Sequence, residues 1–183
     1  TAAALATATA FDSCAPEEQE RPTGSKYMGD FAAPKLDTVR IALIGVGARG
    51  SGHATDYASL EGTEIVAISD LYEDWAQRSA DKCKEIGEGQ RHQNIKLYHG
   101  DENLWKQMLT EVKPDAVIIA TNWKNHAPMA IEAMKQGAHA FVEVPIATTI
   151  EDMWAIVDTS EATGKHCMMM ENVNYGRDEL MFL

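Results

Sequence analysis

The apolar positions fall into short unbroken runs separated by longer stretches in which apolar and polar residues mix with a helical spacing. Val39 to Ile44, Glu64 to Ser69, Ile95 to Tyr98, Ala116 to Ala120, His139 to Val142 and His166 to Met170 read as strands. Their β-branched and aliphatic runs fit strands covered on both faces. Between them the spacing predicts helices from the glycine loop after Ile44 to about Leu60, over Glu73 to Ile86, and over Glu102 to Val112. A further helix runs to Gln136, with Pro128 in its first turn and Gly137 at its end. Another begins at a Thr149 cap, carries Ile150, Met153, Trp154 and Val157 on one face, and stops at Gly164. Strand and helix in alternation predict an α/β fold, a Rossmann-type doubly wound and mainly parallel sheet.

The first predicted strand runs into Gly45-Val46-Gly47-Ala48-Arg49-Gly50, a Gly-x-Gly-x-x-Gly loop that opens a helix. Gly45 suits the tight turn, Gly47 the approach of a pyrophosphate to the backbone, and Gly50 close helix–strand packing. The second strand ends at Asp70, about 20 residues beyond the glycines, where a carboxylate accepts hydrogen bonds from ribose hydroxyls and repels the extra phosphate of NADP. Strand, loop and acid together point to NAD. The competing reading is a plain tight turn, with Asp70 capping the next helix.

Composition narrows the function without naming it. The chain has 183 residues, enough for one good core. Its net charge of −12 argues against nucleic acid or an anionic membrane surface as the main partner. Cys14, Cys83 and Cys167 lack metal-ligand spacing and the histidines are scattered, so no metal site is expected. Cys83 and Cys167 fall in helical and strand patterns that suit inert thiols, and Met168, Met169 and Met170 suit strand core.

Residues 1–14 are small and apolar with Cys14 at their end, like the remnant of an export or lipoprotein signal, and 15–38 have the composition of a polar linker. This predicts an exported bacterial protein, periplasmic or anchored to the membrane by a lipid at Cys14. An ordinary export signal cut nearby is the alternative.

The order GVGARG, Asp70, Thr121-Asn122-Trp123-Lys124-Asn125-His126 and Glu143-x-Pro145 resembles the Gfo/Idh/MocA oxidoreductase superfamily. Dehydrogenases of that superfamily normally carry Glu-Lys-Pro where this chain has Glu143-Val144-Pro145, and the lysine moves a proton at the substrate hydroxyl. Val144 cannot do so. Glu143-Val144-Pro145, the Asp158-to-Met169 run and Glu171-Asn172-x-x-Tyr175-Gly176-Arg177 together resemble glycoside hydrolase family 109, the NAD-dependent α-N-acetylgalactosaminidases.

The resemblance implies hydrolysis of a glycoside bearing terminal N-acetylgalactosamine, by oxidation at C3, elimination, addition of water and re-reduction. A carboxylate pair flanking the glycosidic bond is not needed in such an enzyme. It places NAD on Arg49, Gly50, Asp70, Trp123, Lys124, Asn125, His126, Glu143, Val144 and Asn172, beside Gly45 and Gly47 of the loop. Tyr175 is the candidate for touching the sugar near the reacting carbon. Each has a plainer reading. Trp123 covers the core, His126 caps a helix, Glu143 is a solvated acid, Asn172 makes a turn, and Tyr175 packs where domains meet.

Residues 39–170 are then the NAD-binding domain, and 171–183 begin a truncated carboxyl-terminal substrate domain. The fragment alone is expected to bind NAD at best. The alternatives are an NAD-dependent sugar dehydrogenase and a non-catalytic NAD- or sugar-binding protein. Homo-oligomerisation is left open.

Overall fold

A computed structural model describes residues 26–88, 91–173 and 180–181. Six parallel strands form one sheet: β1 (Val39–Ile44), β2 (Thr63–Asp70), β3 (Lys96–His99), β4 (Ala116–Ile119), β5 (His139–Val142) and β6 (Cys167–Met169). Five helices connect them: α1 (Gly50–Ser59), α2 (Glu73–Ile86), α3 (Leu104–Val112), α4 (Trp123–Lys135) and α5 (Ile150–Thr163). The strand order is β3-β2-β1-β4-β5-β6. It reverses direction between β1 and β4, which opens a crevice at the carboxyl ends of those two strands. The Rossmann-type expectation holds.

Period-two alternation divides the core between the two faces of the sheet. Ala42 and Ile44 of β1 pack with Met108, Leu109 and Met134 under α3 and α4, while Ile41 and Leu43 pack with Ala54, Ala58, Ala80 and Cys83 under α1 and α2. Leu43, Ile68, Val117 and Ile119 are therefore fully buried, as strands covered on both sides must be. His92 pegs one of these layers. Its Nδ1 accepts from Ile65 N (2.9 Å), and its Nε2 lies 3.0 Å from Ala58 O, which fits the neutral ring carrying its proton on Nε2.

Helix α2 spans the predicted residues, and the Thr149 side chain caps α5 by accepting from Asp152 N at 3.1 Å. Three expectations fail. Helix α4 begins at Trp123, so Pro128 lies inside the helix and not in its first turn, and Trp123 to His126 form that turn and not a loop. The apolar stripe of α5 faces outward: Ile150, Met153, Trp154 and Val157 are all exposed, and the helix turns Ile156 to the core instead. Met168 and Met169 are also exposed rather than core, because β6 is an edge strand. Cys83 is fully buried and Cys167 partly so. Burial pushes the first thiol up to about 11 and the second to about 12, in keeping with inert roles.

Candidate functional site

The parallel register sets one row of residues across the carboxyl edge. Ile44 pairs with Ser69 and Ile119, Ile119 with Val142, and Val142 with Met169. One residue further along, Asp70, Gly45, Ala120, Glu143 and Met170 stand level. The ladder itself continues to that row: Gly45 N donates to Ser69 O, Ala120 N to Ile44 O, Glu143 N to Ile119 O and Met170 N to Val142 O. Asp70 and Glu143 are three strand spacings apart, roughly 14 Å.

The glycine loop turns within this row. Gly45 has φ +84°, and a Cβ there would stand 2.5 Å from Ala120 O. A Cβ on Gly50 would stand 2.0 Å from Gly45 O, so the start of α1 presses directly on the turn. The first turn of α1 holds no acid to offset its positive end. Asp70 organises the loop: Oδ2 accepts from Val46 N at 2.7 Å, and Oδ1 accepts from Tyr72 N at 3.0 Å. Each carboxylate oxygen has a further lone pair, so the turn-forming role and a ribose-binding role are compatible.

Glu143 closes the other side. Its side chain is nearly buried, and Arg49 Nε donates to Oε1 at 2.8 Å. His53 Nε2 lies 2.6 Å from the same oxygen, and Val144 N donates to Oε2 at 3.3 Å. Burial works against the charge on Glu143. The hydrogen bonds from Arg49, His53 and Val144 N, with the charge of Arg49, outweigh it and hold the carboxyl below its ordinary range. His53 was not among the sequence candidates. Arg49, which precedes the first residue of α1, and His53 and Tyr57 within it recur every four residues, and Tyr57 Oη donates to Met170 Sδ at 3.6 Å. That i, i+4, i+8 stripe of polar and aromatic residues just after the glycine loop was the available signal.

Trp123, Lys124 and Asn125 stand exposed on the first turn of α4, beyond β4 in the same row. His126 differs from them. It is buried, with Nδ1 2.8 Å from Pro145 O and Nε2 3.1 Å from Thr121 O. It thus ties the end of β4 to the turn that carries Glu143 and Val144, whose Val144–Pro145 peptide is cis. Val144 points to solvent at 38% exposure. Asn172 is exposed on the bend after β6. Tyr175 and Cys14 lie outside the described residues, as does the segment that contains the expected signal.

Comparison with known proteins agrees with this geometry. The model of an oxidoreductase family with an NAD-binding Rossmann fold, Gfo/Idh/MocA, matches residues 39–171. "Glycosyl hydrolase family 109 protein 1" of Akkermansia muciniphila is 55% identical over 163 residues, covering 89% of this chain and 33% of the relative. "Alpha-N-acetylgalactosaminidase" of Shewanella oneidensis is 45% identical over 163 residues, covering 89% and 35%. The chain spans about a third of the length of the curated relatives it matches. Among solved structures, an NAD-binding protein from Listeria innocua superposes with a TM-score of 0.64 at 28% identity, over 79% of this chain and 39% of that one.

Proposed function

The chain belongs to the Gfo/Idh/MocA family of oxidoreductases with an NAD-binding Rossmann fold, and from that premise we propose that it is the cofactor-binding part of a glycosidase acting on terminal α-linked N-acetylgalactosamine. The observation that carries the proposal is the similarity, at 45–55% identity over 89% of the chain, to family 109 glycosyl hydrolases and an α-N-acetylgalactosaminidase.

The residues present fit NAD. The cradle at Gly45 and Gly50 admits no Cβ, and the uncompensated start of α1 suits a pyrophosphate. When bound, NAD⁺ would accept a hydride from C3 of the sugar and return it after the C1 group has left by elimination and water has added, so that the glycoside is hydrolysed with no net change of cofactor. Asp70 holds one ribose. Glu143, kept ionised by Arg49 and His53, accepts from the second ribose or the carboxamide end. Arg49, with its side chain 56% exposed, reaches the pyrophosphate. Trp123, Lys124 and Asn125 line the crevice from α4, His126 fixes the turn behind them, and Asn172 closes the rim. Val144 presents hydrocarbon where a dehydrogenase presents an ammonium, so it neither gives nor takes a proton. Tyr175 donates to the C3 oxygen and relays its proton. Export, with a lipid at Cys14, belongs to the same reading.

The test incubates the complete gene product with a chromogenic α-N-acetylgalactosaminide and NAD⁺, following chromophore release and NADH absorbance together. NAD⁺-dependent release without net NADH is expected. Net NADH with intact glycoside would replace the proposal with a sugar dehydrogenase. NAD binding with neither signal would replace it with a non-catalytic binder.

A further inference from the structure

The two side chains that hold Glu143 from the α1 side are unequal. Arg49 precedes the helix and its side chain is 56% exposed, whereas His53 stands one turn further in and its side chain is 17% exposed. Both meet the same oxygen, Oε1, at 2.8 Å and 2.6 Å. An ionised carboxylate only accepts, so His53 carries a proton on Nε2. Two donors occupy the lone pairs of Oε1, while among the described residues Oε2 meets Val144 N at 3.3 Å. Oε2 is therefore the oxygen with capacity left for a ligand. Tyr57, a further turn along α1, backs the imidazole, with ring centroids 6.3 Å apart at 49°, and its own hydroxyl is engaged with Met170. His53 is thus supported from behind, whereas a long exposed guanidinium keeps many rotamers.

We propose that His53 is a positioning residue that fixes the Glu143 carboxylate by Oε1 and so leaves Oε2 for the nicotinamide half of the dinucleotide. The proposal rests on the NAD-binding reading and adds the group through which α1 acts across the crevice. Arg49 cannot fill that role alone, because a guanidinium that swings towards a phosphate lets go of the carboxylate. With His53 in place, Glu143 keeps its orientation whichever anion Arg49 meets. The contact also joins two distant parts of the sheet. His53 belongs to the helix that follows β1, and Glu143 follows β5, 90 residues away in sequence. The helix start that faces the pyrophosphate and the carboxylate that faces the second ribose are thereby held at one spacing.

The test titrates the complete gene product calorimetrically with NAD and with ADP, which carries adenosine and pyrophosphate but no nicotinamide riboside. Wild type, H53A, H53F, H53Q, E143A and the H53A/E143A double variant are compared. H53A is expected to lose about tenfold in NAD affinity and less than about twofold in ADP affinity. H53Q, whose amide N–H stands in for Nε2, keeps NAD affinity within about threefold, whereas H53F, a ring without the donor, behaves as H53A. In the E143A background H53A costs nothing further, as befits a residue that acts through Glu143. Equal weakening of NAD and ADP in H53A means that His53 only supports α1, and it overturns the proposal. So does full additivity of H53A and E143A, or an H53F that binds NAD as tightly as wild type. A wild type that binds NAD no more tightly than ADP overturns the proposal while NAD binding itself stands. A wild type that binds neither overturns the NAD reading and this proposal with it. Should H53A fail to fold, H53F against H53Q makes the same comparison.

Discussion

Two arginines nine residues apart, Arg40 and Arg49, sit at opposite ends of the sheet and meet different fates. Arg40, near the start of β1, sends Nη1 to Lys113 O (2.9 Å) and Nη2 to Val112 O (3.0 Å), while its backbone N–H donates to Asp115 Oδ2 (2.8 Å). Its charge caps the carboxyl end of α3 and closes the amino edge. Arg49, at the carboxyl edge, holds a carboxylate through Nε while its side chain stays 56% exposed. One arginine is used up by the peptide groups of the fold. The other is anchored yet still able to meet an anion. The same chemistry serves architecture at one edge and, in the proposed function, recognition at the other, and what differs is whether the partner groups belong to the backbone.

The sharpest way to break that division is G50A. The added methyl meets Gly45 O at 2.0 Å, so the turn or α1 must move. We expect a loss of about 3 kcal/mol of stability and of NAD binding together, measured by denaturant unfolding and by titration. R40A acts at the other edge. It should cost about 1–2 kcal/mol, lower the melting temperature by roughly 3–6 °C and leave NAD affinity unchanged. R49A should reverse that pattern. We expect less than about 1 kcal/mol of stability lost, since the Arg49 side chain is 56% exposed and His53 still holds Glu143, but about tenfold weaker NAD binding. Equal effects of R40A and R49A on affinity would erase the distinction.

A smaller effect concerns pH. At the amino edge His139 Nδ1 accepts from His166 N at 2.9 Å, and a proton there would break that bond. Burial, then the charges of Lys165 and His166, hold the His139 ring below its ordinary range against the opposing pull of Asp115. The unfolded chain therefore takes up that proton first. The contribution of His139 is complete above about pH 6.5 and is lost as pH falls through the folded value. Glu143, also held low, contributes above about pH 4.3 and is lost only below that. The amino edge should weaken first on acidification, and H139N, which keeps an acceptor, should flatten the melting curve between pH 7 and 5. Last, G52A, with open space around the new methyl, should stabilise α1 by about 0.5 kcal/mol and leave binding alone.

Much of this was legible in the sequence, and the misses have physical causes. Local signals sufficed where the residue itself fixes the backbone. Glu73–Ile86, the Thr149 cap and the turn at Gly45 are read from neighbours in the chain. The stripe on α5 looked like a core face, yet periodicity cannot say which side of a helix finds a neighbour. Met168 misled in the same way, because an edge strand has the composition of a central one. Pro128 suggested a helix start and lies inside the helix, because α4 already begins five residues earlier, at Trp123. His53 was missed because its partner, Glu143, is 90 residues away in sequence, so that the stripe on α1 alone did not say what it would meet.

The row from Asp70 to Met170 also works as a ruler. Its divisions are hydrogen-bonded register rather than loop length, and so it sets where the chain tolerates changes in length. An extra residue within β5 would slide Glu143 by about 3.3 Å and turn its side chain to the other face, away from Arg49. An extra residue in the turns at the amino edge, such as that after Gly62 or Gly137, leaves every mark in place. Length variation in homologous or engineered chains should accordingly collect at the amino edge and in the distal halves of helices, while the strand segments leading into the row keep a fixed count.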